Sequence, residues 1–160
     1  MDKVIAFLSE WVFYYVKNRD LVDRKLEKVE EYINKCYVFA KFKDKSQVYF
    51  IEPEILDVSK TLEKVDAAKK EMGCDFSCLV ILNSIKNLKA VQDGWSKLDK
   101  DPKLSLLFVN PFSLLDKKWI IFPHTHSMII EPNALRQGLK SLFDGVESTS
   151  VDDILGKIKQ

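Results

Sequence analysis

The sequence predicts a single three-layer α/β domain on a mixed sheet of five or six strands, and three observations carry that expectation. Two runs, Phe76 to Leu82 and Leu104 to Val109, are apolar on both faces and are joined by a segment of helical spacing, the pattern of parallel neighbours in a covered sheet. Two stretches rich in aromatic and β-branched residues flank the turn-like Asp44-Lys45-Ser46, which reads as a hairpin. Amphipathic segments at both ends supply helices to cover the sheet.

Taken in order, Val4, Leu8, Trp11, Val12 and Tyr15 fall at helical spacing, and so do Val22, Leu26, Val29 and Ile33. The polar break Lys17-Asn18-Arg19-Asp20 divides them, and Asn18 or Asp20 can cap a new start, so two helices are expected. The hairpin strands follow at Cys36 to Lys43 and Gln47 to Ile51, closed by Pro53. Asp57 then caps a helix carrying Val58, Leu62, Val65 and Met72, and Gly73 ends it in the place glycine prefers. The central strand, helix, strand unit uses Ile85, Leu88, Val91, Trp95 and Leu98 on its helical face. Trp119 to Phe122 and Ser127 to Ile130 read as strands around Pro123-His124-Thr125-His126, and two helices finish the chain. One begins near Asn133 and ends at Gly145; the other carries Val151, Ile154, Leu155 and Ile158, with Ser150 and Asp153 at capping-box spacing.

The bulk numbers limit the function classes. At 160 residues, 46% hydrophobic and 31% charged, the chain fits one ordered domain over residues 1–160 with a substantial core. A net charge of +1, from 25 Lys and Arg against 24 Asp and Glu, supplies no overall field toward nucleic acid or an acidic membrane and leaves only local patches. Three cysteines, Cys36, Cys74 and Cys78, are few and odd in number, which suits a reducing compartment, and a cytoplasmic location without disulfides is expected. The run Val4 to Val16 is interrupted by Ser9 and Glu10 and falls short of the roughly 20 residues a membrane helix needs.

Candidate sites come from three places. If the two apolar strands are parallel neighbours, Asn83 and Asn110 emerge at one carboxyl edge, where α/β sheets bind ligands, with Ser84, Lys86 and Asn87 beside them. That set suits a phosphate or carboxylate, although Asn83 or Ser84 as a helix cap and Asn110-Pro111 as a helix start or turn explain it without a ligand. His124 and His126 stand two apart, so on an extended segment both imidazoles face one way, and with Cys74 and Cys78 they could complete a zinc-type site. Aromatics mingle with lysines at Trp95 to Lys97, Lys117 to Trp119 and Tyr37 to Lys43, a composition that binds single-stranded nucleic acid where the rings are free. Trp11, Phe13, Tyr14 and Tyr15 make the first helix apolar nearly all round, which points to a sandwiched helix or to a homodimer surface.

The order helix, antiparallel hairpin, strand, helix, strand is similar to the core of the restriction-endonuclease-like superfamily. That resemblance implies an acidic residue and a (D/E)-x-K pair holding a divalent metal on neighbouring strands. The motif is missing: Asp23-Lys25 lies in a helical segment, Asp101-Lys103 in a loop, and neither Glu52 nor Glu54 has a lysine two residues on. The reading is therefore a non-catalytic interaction or binding module, with nucleic-acid-related complexes as the expected setting. The alternative is a metal-dependent hydrolase or nuclease using His124 and His126 with nearby carboxylates.

Overall fold

A computed structural model describes residues 2–159. Helix α1 spans Asp2–Asp23 without the expected break. Asp20 does the opposite of starting a helix. Its main-chain carbonyl accepts from Arg24 N–H at 2.7 Å and its carboxylate accepts from Lys25 N–H at 2.8 Å, while Arg24 takes a left-handed φ of 53° that turns the chain out. The predicted second helix is strand β1, Leu26–Tyr32, paired antiparallel with β2, Tyr37–Phe42. A bulge between Leu26 and Lys28 shifts the alternation by one residue, so Leu26 and Val29, three apart, pack against the same core. The bulge thus imitates helical spacing, and Val22, 89% exposed, belongs to no apolar face.

Strand β3, Ser46–Ile51, completes the hairpin, and α2, Val58–Met72, follows. Asp57 accepts from the N–H groups of Ser59 and Lys60, and Gly73 leaves α2 at φ 64°, a left-handed value that costs glycine little. Strand β4 is Phe76–Leu82. The next helical face is divided at Gly94 into α3, Ile85–Asp93, and α4, Trp95–Leu98. A Cβ at Gly94 would lie 2.8 Å from a methyl of Val58, so close approach of α2 requires glycine there.

Strand β5 is Leu104–Val109 and β6 is Lys118–Ile121. The strand expected over Ser127 to Ile130 is instead helix α5, Pro123–Ile129. Pro123 suits a first helical turn, and Met128 and Ile129 are 75% and 79% exposed, so no sheet face claims that apolar run. Helices α6, Leu135–Asp144, and α7, Val151–Ile158, close the chain, and Ser150 caps α7 by accepting from Asp153 N–H at 3.2 Å.

The six strands lie in chain order, β1 to β6, in one open mixed sheet. Strands β3, β4 and β5 are parallel, and the other neighbours are antiparallel. One face packs under α2, α3, α4 and α6 through residues such as Val65, Leu88, Trp95, Leu98, Leu139 and Phe143. The other packs under α1 and α7 through Val4, Leu8, Val12, Val16 and Ile154. The layers are therefore helix, sheet, helix. Among the described residues, no helix is long and apolar enough to cross a membrane.

Candidate functional site

The two asparagines at the ends of β4 and β5 do meet at one carboxyl edge, and what they hold is the chain itself. Asn83 is fully buried, and its Nδ2 donates toward the carbonyls of Val146 at 3.0 Å, Phe143 at 3.3 Å and Glu147 at 3.4 Å. Its Oδ1 accepts from Trp119 Nε1 at 2.8 Å. Asn110 Nδ2 donates to the same Glu147 carbonyl at 2.9 Å, and Asn110 Oδ1 accepts from Phe112 N–H at 3.1 Å. Both amides thus fasten the segment between α6 and α7 over the sheet edge.

Their neighbours are engaged in the same way. Asn87 donates to the carbonyls of Pro53 and Leu82, both at 2.8 Å, and accepts from Ile55 N–H at 2.9 Å, tying the β3–α2 connection to the end of β4. Ser84 caps α3 by accepting from Asn87 N–H, and Lys86 pairs with Glu54 at 3.2 Å in the open. Beside them is a hollow of about 420 Å³ where α3 and α7 begin, and both helix starts already have serine caps.

The four metal candidates are dispersed. Because α5 is helical, His124 and His126 are separated by about 200° around its axis rather than facing one way. His124 Nδ1 lies 3.0 Å from the Asp99 carbonyl, and His126 meets the Trp95 ring edge-on. Cys74 packs in the core under α2, while Cys78 packs on the opposite face of the sheet under α1. Burial pushes the Cys78 thiol up to about 12, which makes it a poor thiolate ligand. Glu52 accepts from Thr61 Oγ1 at 3.3 Å and from Lys64 Nζ at 3.4 Å. Among the described residues no three His, Cys, Asp or Glu groups converge as a metal site would need.

The open site is at the other end of the strands. A cleft of about 550 Å³, within the size of small-ligand pockets, lies on the α1 face at the amino ends of β3, β4 and β5. The C-terminal part of α1 brings Tyr15, Arg19, Asp20 and Asp23; the hairpin brings Phe42, Asp44 and Lys45; β4 brings Phe76; β5 and the residue before it bring Ser105 and Lys103; β6 and the residue after it bring Lys118, Ile120 and Phe122. Cations sit over the rings. Lys45 and Lys103 lie 5.3 and 5.4 Å from the centre of Phe76, and Arg19 and Lys118 lie 5.5 and 5.6 Å from that of Tyr15.

Charge in the cleft is unbalanced. Lys25 pairs with Asp44 at 3.7 Å, but among the described residues Arg19, Lys45, Lys103 and Lys118 have no carboxylate partner. The floor is polar as well as aromatic. Gln47 and Tyr49, two apart on β3 and so on one face, are 8% and 4% exposed, and their polar ends open on the cleft. Burial pushes the Tyr49 hydroxyl above its ordinary range, so it stays protonated and able to donate. Neither polar end is both buried and unpartnered among the described residues, so each keeps contact with the cavity, where a ligand or water can reach it.

No protein-family model matches the sequence, and neither a curated protein nor a solved structure matches it. The cleft's own chemistry has to carry the functional reading. The aromatic and lysine stretches read from the sequence touch its rim at Phe42 and Lys118, while Trp95, which helical phase assigns to the core, and Trp119 are buried, the latter stacked on Phe108 at 4.0 Å. The usable signal was polar intrusion: Ser105 interrupts a strand run that is otherwise apolar.

Proposed function

We propose that this chain is a non-catalytic binding module whose cleft holds single-stranded nucleic acid. One observation carries the reading: Lys45 and Lys103 both hold their ammonium groups over the ring of Phe76, and neither is paired with a carboxylate among the described residues. Both lysines are exposed and can swing from the ring to a phosphate as a base takes their place, and base-on-ring stacking with cations beside it is how unpaired strands are held without sequence preference. Phe122, half exposed at the end of β6, and Lys118 extend the same chemistry along the cleft. The near-neutral total charge is compatible with this, because the cationic surplus is local. The groups on the floor favour holding over reacting: the Cys78 thiol beneath them is pushed up to about 12 and the Tyr49 phenol is also raised.

Fluorescence anisotropy with a labelled short single strand and its duplex, across a salt series, tests the proposal. Single-strand binding that weakens with salt and is lost in the double variant Lys45→Glu/Lys103→Glu is expected. No binding at low salt, or equal binding of the duplex and of the double variant, would end it.

A further inference from the structure

The polar floor of the cleft goes beyond general strand binding, and the inference drawn from it rests on the reading above. We infer that the cleft takes in one unstacked adenine and reads its edge with the Gln47 carboxamide and the Tyr49 hydroxyl, while Lys45 and Lys103 hold the adjoining phosphate. Stacking and phosphate contact need only Phe76 and the lysines. They do not account for two polar side chains more than nine-tenths buried at the bottom of the same cavity.

The register places these groups as a base would need them. Gln47 lies directly beside Phe76 on the neighbouring parallel strand, and Tyr49, Cys78 and Ser105 form the next row across β3, β4 and β5. A ring lying on Phe76 would therefore sit next to Gln47, with Tyr49 one row further along the same face. A carboxamide offers a donor and an acceptor side by side, which matches the adjacent amino donor and ring-nitrogen acceptor of adenine. The Tyr49 hydroxyl adds one more donor or acceptor in that row, and a purine offers the larger stacking face to Phe76. Apolar residues at positions 47 and 49 would leave stacking intact and fill the floor; the chain has polar ones.

The experiment compares binding of oligomers of A, C, U and G at fixed length by the intact chain, Gln47→Leu and Tyr49→Phe, with thermal melts to confirm that each variant is folded. The expected result is about tenfold or greater preference for the A oligomer, a discrimination typical of a good paired contact to a base edge. Gln47→Leu should abolish the preference and keep the salt dependence; Tyr49→Phe, which removes a single oxygen, should reduce it. Competition by adenosine monophosphate with the same base preference supports base reading and assigns the ligand to a free nucleotide, whereas competition by the strand alone supports it and assigns the strand. Equal binding of all four oligomers, or a preference unchanged in both variants, overturns base reading and leaves strand binding standing. Failure of every oligomer to bind overturns both.

Discussion

The two ends of the parallel strands β3, β4 and β5 are built from similar polar residues and put them to opposite uses. At the carboxyl end, Asn83, Asn87 and Asn110 spend their amides on the chain's own backbone. At the amino end, Gln47 and Tyr49 are also buried yet open onto a cavity rimmed by cations without carboxylate partners among the described residues. A saturated polar cluster holds a fold together; an unsaturated one at a cavity is available to a ligand. The carboxyl edge is the customary place to look in an α/β sheet, and here the segment between α6 and α7 occupies it.

The contrast predicts a separation of effects, with stability changing at one end and binding at the other. Asn83→Leu should produce the largest loss, about 3–5 kcal/mol, because it leaves the Trp119 indole N–H and the carbonyls of Phe143 and Val146 buried without partners. Urea unfolding measures it, and a loss below about 1 kcal/mol would show that water or rearrangement replaces those bonds. Asn110→Ala should cost less, about 1–2 kcal/mol, since its lost bonds are the one to Glu147 and the local turn to Phe112. The two asparagines share the Glu147 carbonyl, so the double variant should deviate from additivity by about 0.5 kcal/mol or more. Strict additivity would mean that the segment is held at two independent points.

At the amino end, Lys45→Gln and Lys103→Gln should leave the unfolding midpoint where it is and weaken strand binding, each lowering the slope of log affinity against log salt by about one. A fall in stability with no change in slope would reverse the comparison and make the lysines part of the fold. Their cation–ring contacts are exposed, which is why little stability is expected to depend on them.

How far the sequence revealed this arrangement follows from where each signal resides. The parallel pair β4 and β5, the hairpin, and the caps at Asp57, Gly73 and Ser150 depend on local pattern, and all are present. Strand β1 was hidden because a bulge gave it helical spacing, and α5 because an apolar run beside a proline reads equally as strand when its exposure is unknown. Asn83 and Asn110 could be paired from the sequence, but their occupant lies some sixty and thirty-seven positions away in the chain, and no local pattern marks residues 143–147. The cleft was least legible. Tyr15, Gln47, Phe76, Lys103 and Lys118 come together only through the order of strands in the sheet.

The smallest effect at neutral pH is expected at His126, and it tests whether the cleft is independent of the opposite face. His126 Nε2 is buried without a hydrogen-bond partner, and the ring meets Trp95, which belongs to the core under α2, α3, α4 and α6. Desolvation lowers its pKa below the ordinary imidazole value. A group whose pKa is depressed on folding contributes stability above its unfolded pKa, near 6.5, and that contribution is lost as pH falls through the lower folded value. His126→Phe, which keeps a ring against Trp95, should therefore match the parent chain in its pH trend above pH 7 and fall off less steeply below about pH 6.5. Unfolding curves across that range measure the difference, and identical slopes would show that the imidazole is hydrated in the folded state. Strand binding by the two proteins should stay equal wherever both are folded, because Trp95 and the cleft lie on opposite faces of the sheet. A binding difference that tracks the titration would mean that α5, which begins directly after the cleft residue Phe122, passes its state to the cleft, and the two faces would no longer be separate.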